Sequence, residues 1–147
     1  MNLILTNKNM KNKVLKGFNP DLRMDLICAS DSLRPALQCL YFKDGFVYAT
    51  DSHMLVKNSF DDVLIGNFSE EELQILNSGV LLSASSYKSL LKYKYINIKA
   101  DGIMAQSLEF EIFYEFKKDL TFPNIEAVFA NSKKHSKVDY INLKADY

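Results

Sequence analysis

The amino-acid sequence predicts an α+β domain, and two features lead to this prediction. Short stretches in which apolar and polar side chains alternate are typical of strands, and segments with the apolar spacing of amphipathic helices lie between them. The order strand, helix and several strands occurs twice along the chain. At 147 residues the chain fits one domain, which can bury roughly 68–70% of its unfolded surface. That is enough for a hydrophobic core.

The first unit begins with an apolar strand at residues 3–5, followed by a helix that Thr6 or Asn7 can cap. Helical spacing places four apolar side chains on one face of this helix: Met10, Val14, Leu15 and Phe18. The opposite face carries Lys8, Lys11, Asn12 and Lys16. Gly17 and Pro20 end the helix. Residues 21–31 alternate in a way that favours a strand, although the same residues can also line a helix.

The central stretch, residues 33–55, has the pattern of a β-hairpin. Its strands show two-residue alternation, in Leu37, Cys39 and Tyr41 and then in Phe46 and Tyr48. Lys43-Asp44-Gly45 forms the turn, because Asp-Gly readily adopts the positive φ that a tight hairpin needs. Pro35 precedes the ladder, where a missing N–H costs little. Residues 49–55 hold more small and polar groups than a core strand needs, which indicates a site or a sharp corner.

The second unit opens after a loop at residues 61–67. Ser69 and Glu72 have the spacing of a capping box, and the short helix that they start ends at Gly79. A strand follows at residues 80–82, and it leads into the next helix.

The second helix of this unit runs from a cap at Ser83 or Ser85 to about Lys94. Strands are then predicted at residues 95–99, 103–108 and 110–116. In the last strand one face is apolar, with Phe110, Ile112, Tyr114 and Phe116. The other face is acidic, with Glu109, Glu111 and Glu115. We expect the apolar face to lie in the core.

Composition narrows the class of protein. The formal charge is zero, with 18 basic and 18 acidic residues, which argues against a uniformly basic DNA-binding protein but permits a locally basic surface. Cys28 and Cys39 lack the spacing of a metal site, so we expect buried free thiols. No apolar run is long enough for a membrane span and no signal-peptide pattern precedes the domain, so we expect a cytoplasmic protein with no membrane partner.

A catalytic function is disfavoured. Asp51, Ser52 and His53 are consecutive, and consecutive strand residues point to alternate faces, so they cannot converge as a catalytic triad. The chain has two histidines, and His135 lies in a lysine-rich segment, whereas a zinc site needs three or four ligands. We therefore expect a non-enzymatic protein without a metal ion or cofactor.

Two segments carry a resemblance to a known family. Ala49-Thr50-Asp51-Ser52-His53-Met54-Leu55 resembles the Ala-Thr-Asp-Gly-His-Arg-Leu signature of the bacterial DNA sliding clamp, the β subunit of DNA polymerase III. Phe122-Pro123-Asn124-Ile125-Glu126-Ala127-Val128 is similar to that family's Phe-Pro-Asp-Tyr-Arg-Arg-Val. The match is to the middle domain of the clamp. Ser52 stands where the family has Gly, and Met54 stands where it has Arg.

The resemblance implies a DNA-clamp-type fold, in which two strand–helix–multistrand units pack two helices against antiparallel sheets. Residues 1–130 would form this domain, and residues 131–137 would be a linker. Residues 138–147 would begin a further clamp domain or serve as an edge strand.

The resemblance also implies a processivity factor that encircles double-stranded DNA without regard to sequence, together with further clamp domains or as a homo-oligomer. The expected DNA-facing residues are Lys8, Lys11, Lys16, Arg34, Lys88, Lys92 and Lys94. From their spacing alone, the lysines are more typical of the solvated face of an amphipathic helix than of a DNA-binding surface.

The family binds DNA polymerase and other replication proteins through short hydrophobic motifs in a groove at its outer rim. The matching residues here are Leu37, Thr50, Ser52, His53, Met54, Leu55, Pro123 and Val128. We expect Leu37, His53, Leu55, Pro123 and Val128 to form one concave, partly exposed apolar patch. The alternative function is an adaptor that keeps the fold and the groove but forms no ring around DNA.

Overall fold

The computed structural model describes residues 15–30 and 33–125, together with the backbone of residues 139–141. Within these residues the chain forms three helices and three β-sheets, most of whose strand pairs are antiparallel. This arrangement agrees with the predicted α+β class. Lys8 and Lys11 of the predicted first helix, the residue Val128, and the 131–137 linker lie outside the described residues. The predicted end of that helix is wrong, because Gly17–Phe18 is a strand and residues 15–16 are not helical.

The elements are bounded as follows. The strands are β1 (Gly17–Phe18), β2 (Cys39–Lys43), β3 (Phe46–Thr50), β4 (Met54–Ser59), β5 (Leu64–Ile65), β6 (Val80–Ser83), β7 (Tyr95–Lys99), β8 (Gly102–Gln106), β9 (Glu111–Glu115) and β10 (Asp139–Ile141). The helices are α1 (Phe60–Val63), α2 (Glu70–Asn77) and α3 (Ala84–Leu90). Single 3₁₀ turns occupy Met24–Leu26 and Pro35–Gln38.

The largest sheet has the strand order β10-β4-β3-β2-β6. Its pairs are antiparallel except β10 with β4, where Asp139 to Ile141 lie opposite Met54 to Val56. The predicted hairpin turn between β2 and β3 is confirmed, with φ of 49° at Asp44 and 87° at Gly45. The Asn77 side chain at the end of α2 accepts a hydrogen bond from the Gly45 N–H at 2.7 Å, which ties the turn to the helix.

Two smaller sheets complete the described architecture. One is the antiparallel sheet β7-β8-β9, and the other pairs β1 with β5. The Lys16 backbone joins them, since its N–H donates to Lys94 O at 3.0 Å and its C=O accepts from Ile96 N at 2.8 Å. Residue 16 therefore lies against the outer edge of β7.

The main core lies between one face of the large sheet, helices α2 and α3, and the inner face of β7-β8-β9. Its fully buried side chains include Phe42, Val47 and Val56 from the large sheet and Tyr87 and Leu90 from α3. The Tyr87 hydroxyl donates to Leu22 O at 2.8 Å, so the chain before β2 is fastened to the core. Burial raises the pKa of Tyr87 above its ordinary value, which keeps the phenol protonated.

A second, smaller core covers the opposite face of the large sheet. Cys39, Leu81 and Phe122 are buried there, and four further side chains pack around them: Tyr41, Tyr48, Leu120 and Ile125. The segment at residues 120–125 thus crosses the sheet face that points away from the helices.

The capping residues of the second unit correctly predicted where its two helices begin. The capping box is present, because Ser69 Oγ accepts from Glu72 N and the Glu72 carboxylate accepts from Ser69 N. The Ser83 side chain caps α3, as one of the two predicted caps. Helix α3 ends at Leu90, which is earlier than the predicted end at about Lys94. Lys88, Lys92 and Lys94 are exposed.

Three further predictions about elements are wrong. Residues 21–30, the described part of the strand predicted at 21–31, do not form a strand, because hydrogen bonds from Leu26 N to Arg23 O and from Ile27 N to Met24 O close a 3₁₀ turn there. The expected loop at 61–67 instead contains α1 and β5. Leu37 lies in a 3₁₀ turn before the first hairpin strand, and Pro35 occupies the start of that turn.

The predicted burial of the β9 apolar face is also wrong for its first half. Phe110 is 54% exposed and Ile112 is 38% exposed, whereas Phe116 is buried. The alternation itself is correct, since Ile112 lies opposite the buried Ala105 of β8. The difference arises because β9 is the edge strand of its sheet, and an edge position cannot be deduced from periodicity within one strand.

Among the described residues, no helix has the length and apolar character that crossing a membrane requires.

Candidate peptide-binding groove

The connection between β3 and β4 is a sharp corner held by side-chain hydrogen bonds. Asp51 Oδ1 accepts from the N–H groups of His53 at 2.9 Å and Met54 at 3.0 Å. Thr50 Oγ1 accepts from Ser52 N at 3.1 Å and donates to Met54 O at 2.6 Å. The Asp51 carboxylate and the Thr50 hydroxyl therefore stabilise the backbone of this corner, which is the usual role of such side chains in tight turns.

Ser52 occupies the tip of this corner with a φ of 81°. Side chains with a Cβ rarely adopt this conformation, and glycine adopts it without strain. The sliding-clamp signature has glycine at the matching position. A glycine would therefore adopt this positive φ without strain, whereas Ser52 adopts it at a conformational cost.

Arg34 meets this corner from a distant part of the chain. Its Nη1 donates to Ser52 Oγ at 2.8 Å, and both residues are exposed. The sequence placed Arg34 among the DNA-facing residues, whereas the structure places it beside Ser52. No local pattern connects these two residues, so sequence analysis missed the contact.

The second motif lies on the outer face of the same sheet. The Phe122 ring stacks on the Tyr41 ring with 4.9 Å between centroids. Tyr41 lies opposite Tyr48, and Thr50 lies opposite Leu55. Because residues two apart on a strand share a face, these four residues point to the side on which Phe122 packs. The two family-like segments, which are far apart in sequence, therefore lie on the same face of one sheet.

The predicted site residues divide by burial. Leu37, Thr50 and Leu55 are 6%, 2% and 1% exposed, so Leu37 and Leu55 contribute almost no exposed surface to the predicted patch. Ser52 and His53 are exposed, while Met54 and Pro123 are half-buried. The residues available for contact are thus the tip of the corner and the proline segment.

Two adjoining cavities flank the segment at residues 116–120, and we call them together the rim groove. One has a volume of about 330 Å³ and is bordered by Tyr41, Leu81 and Phe122. The other has a volume of about 530 Å³ and is bordered by Pro35, the residue after Arg34. Four residues line both cavities: Phe116, Lys117, Lys118 and Leu120. The sequence did not identify Leu120 or Lys117 as site residues, because neither belongs to the matching motifs.

Lys16 is not on an exposed basic face, and that prediction is wrong. Its side chain is only 10% exposed, and Nζ lies 2.9 Å from Glu72 Oε1 and 2.8 Å from Asn97 Oδ1. Burial would raise the pKa of Glu72, but hydrogen bonds from the N–H groups of Ile98 and Ser69, together with the Lys16 ammonium, hold it below its ordinary value. The pair is therefore an internal link between β1, α2 and β7.

The remaining predicted basic residues concentrate around α3. Lys88, Lys92 and Lys94 are exposed on this helix and just after it. Helix α2, by contrast, carries the exposed acidic residues Glu70 and Glu71 in its first turn. The predicted DNA-facing lysines that are exposed in the described part of the chain thus lie on one helix and its C-terminal extension.

The arrangement at residues 51–53 does not resemble a hydrolytic site. Ser52 Oγ is bonded to Arg34, and Asp51 is bonded to backbone N–H groups. Within the described ranges no group of three or more His, Cys, Asp or Glu side chains is placed to hold a metal ion. Burial, with a smaller contribution from Cys39, raises the pKa of Cys28 to about 12, so its thiol stays protonated and weakly nucleophilic.

No protein-family model, curated protein or solved structure matches the chain. The resemblance to the sliding clamps therefore depends on the two motifs, the positive φ at Ser52 and the shared sheet face.

Proposed function

We propose that this chain is a clamp-type domain of a DNA polymerase processivity factor that binds replication proteins through short hydrophobic motifs. The observation that supports the proposal most strongly is that the Thr50–Leu55 corner and the Phe122-Pro123 segment share one face of the large sheet. Their sequence separation gives no other reason for the two family-like motifs to lie together.

The rim groove offers the chemistry that such a motif needs. Tyr41 and Leu120, which are half-buried, provide an apolar surface in a concave site above the buried Leu81 and Phe122, and this surface suits one or two hydrophobic anchor side chains. Lys117 at its wall can pair with a carboxylate or with backbone carbonyls of the peptide. Arg34 and His53 lie at the corner and add polar contacts that fix the direction of the peptide.

The DNA-facing surface in this proposal is the basic end of α3. Lys88, Lys92 and Lys94 would contact phosphates, so binding would be independent of sequence and would weaken as salt rises. A duplex-encircling ring requires several such surfaces, which further clamp domains or further copies of the chain would supply.

An adaptor with the same groove but without a DNA-encircling ring is the second candidate. Two observations favour it. Lys16 is used inside the fold instead of on the surface, and α2 presents Glu70 and Glu71, which repel phosphates. Both candidates predict peptide binding at the rim groove, and they differ in whether the protein is retained on DNA.

Retention on circular DNA distinguishes the two. The full protein is incubated with nicked circular DNA and with the same DNA after linearisation, and the bound fraction is measured by gel filtration. A processivity clamp is retained on the circle and slides off the linear form, and the double change Lys88→Glu with Lys92→Glu weakens its retention. Equal and negligible retention on both forms contradicts the clamp role and leaves the adaptor.

A further inference from the structure

Strand β9 presents an open hydrogen-bonding edge. Ser107 N donates to Phe110 O at 2.9 Å, and Phe116 N donates to Asp101 O at 2.9 Å, which fixes the residues of β9 that bond to β8. Bonded pairs alternate in an antiparallel ladder, so the backbone N–H and C=O groups of Glu111, Phe113 and Glu115 point away from the sheet. Sheet β7-β8-β9 has no further strand beyond them in the described part of the chain.

The opposite edge of the same sheet is closed, which shows that the open edge is specific to β9. On β7, Ile96 N donates to Lys16 O at 2.8 Å, and Ile98 N donates to Glu72 Oε2 at 2.7 Å. The outward N–H groups of β7 are therefore used inside the fold. The corresponding groups of β9 remain a template on which another extended chain can form a ladder.

Apolar side chains accompany the open edge. Phe110 is 54% exposed, Ile112 is 38% exposed and Phe113 is 41% exposed, and Leu108 is 45% exposed in the loop before them. Ile112 lies on the core face of the sheet and Phe113 on the outer face. A strand added beside β9 would thus cover apolar surface on both of its faces.

The charges on β9 select the partner. Glu111 and Glu115 flank Phe113 on the outer face, and the Glu111 carboxylate accepts only from the neutral Gln106 amide among the contacts described, at 3.0 Å. Two lysines follow β9, Lys117 and Lys118, and Lys118 is paired with Asp101 at 2.6 Å, with a smaller attraction to Glu115. If two copies paired antiparallel through β9 about Phe113, Glu111 of each would lie opposite Glu115 of the other. Like charges opposite each other destabilise a strand pair.

We propose that β9 is the docking edge for an extended segment of a partner protein with the pattern basic–apolar–apolar–apolar–basic. The two basic side chains lie opposite Glu111 and Glu115, and the central residue packs beside Phe113. The other two apolar residues extend the core face beside Ile112 and Tyr114. This interaction uses the backbone of a different sheet from the one that Phe122 covers, and Glu115 is the β9 residue that it shares with the rim groove.

The test measures binding of fluorescent peptides to the full protein by anisotropy. One peptide has the core Lys-Val-Tyr-Val-Lys, and its partner has the core Glu-Val-Tyr-Val-Glu. We expect the basic peptide to bind about ten-fold more tightly, since each cross-strand charge pair contributes modestly. In the double variant Glu111→Lys with Glu115→Lys the preference reverses.

A matched pair of variants tests the backbone contribution. Phe113→Pro removes an outward N–H without removing a β8–β9 hydrogen bond, and Phe113→Thr keeps that N–H while removing the same ring. Binding of the basic peptide is expected to be lost in the first variant and retained, though weaker, in the second. Thermal melts establish whether each variant is folded. If Phe113→Pro does not fold, the double variant Glu111→Lys with Glu115→Lys tests the proposal instead, because both positions are exposed.

Two outcomes overturn the proposal. Equal affinity for the two peptides, or a basic preference that persists in the double charge variant, excludes charge selection by β9. Self-association that rises with protein concentration in analytical ultracentrifugation, and that Phe113→Pro removes, assigns the edge to a second copy of this chain instead of a partner protein.

Discussion

Phe122 lies against Tyr41 with 4.9 Å between ring centroids and 14° between ring planes. Phe122 is 7% exposed, and it also packs with Cys39 and Leu81. This stacked pair fastens the segment at residues 120–125 to the outer face of the large sheet, and it thereby brings the second family-like motif to the sheet that carries the first.

Removing the Phe122 ring tests the importance of this contact for the fold. We expect Phe122→Ala to lower the free energy of unfolding by about 3 kcal/mol, because a buried ring and its stacking are lost. Phe110→Ala is the matched control, since Phe110 is 54% exposed and its loss is expected to change stability by about 0.5 kcal/mol or less. Urea denaturation measures both, and equal effects would show that Phe122 is not part of a core.

The buried Lys16–Glu72 ion pair predicts that the stability of the fold depends strongly on each of the two side chains. Lys16→Met removes the cation and leaves a mostly buried carboxylate, so we expect a loss of about 3 kcal/mol. Lys88→Met changes the same residue type at an exposed position and is expected to have an effect within about 0.5 kcal/mol. A Lys16→Met protein as stable as the control in urea would contradict the structural role of the pair.

Glu72 also predicts how stability depends on pH. Its folded-state pKa is lower than the ordinary value of 4.5, so folding favours the ionised carboxylate. The resulting stabilisation is complete above pH 4.5 and is lost as pH falls through the lower folded-state pKa. In Glu72→Gln this contribution is absent, so the stability difference between the two proteins shrinks in acid. Parallel curves from neutral to acid pH would contradict the assignment.

The positive φ of Ser52 is tested by two substitutions that remove the same hydroxyl. Both Ser52→Gly and Ser52→Ala lose the hydrogen bond from Arg34, so their difference reports on the backbone conformation. With φ at 81°, we expect the glycine variant to be more stable than the alanine variant by about 1 kcal/mol. Thermal unfolding of the two proteins measures this difference. An alanine variant that is equally stable would mean that the corner does not require a left-handed conformation.

Sequence analysis predicted the parts of the fold that depend on neighbouring residues. The Asp44-Gly45 turn and the Ser69–Glu72 capping box were recognisable because each signal lies within a few residues. The role of Lys16 was not recognisable, since its partners Glu72 and Asn97 are 56 and 81 residues away. A lysine that follows the pattern of a solvated helix face was instead buried by tertiary contacts.

The lining of the rim groove was not predicted, for the same reason. The motifs located the Thr50–Leu55 corner and Pro123, which border neither cavity, and tertiary packing buries Leu37 and Leu55. The walls of the rim groove come from Leu120 and from Tyr41, which have no motif of their own. The open edge of β9 depends on strand order, and alternation within one strand carries no information about that order.

The binding of a short hydrophobic replication-type peptide to the rim groove is the most direct test of the proposed function. Fluorescence anisotropy compares the unmodified protein with Leu120→Glu, which places a charge where both cavities meet, and with the control Lys88→Glu on α3. We expect the first change to weaken binding by about a hundred-fold and the control to leave it within about two-fold. A folded Leu120→Glu protein that binds the peptide as well as the unmodified protein would contradict the proposal.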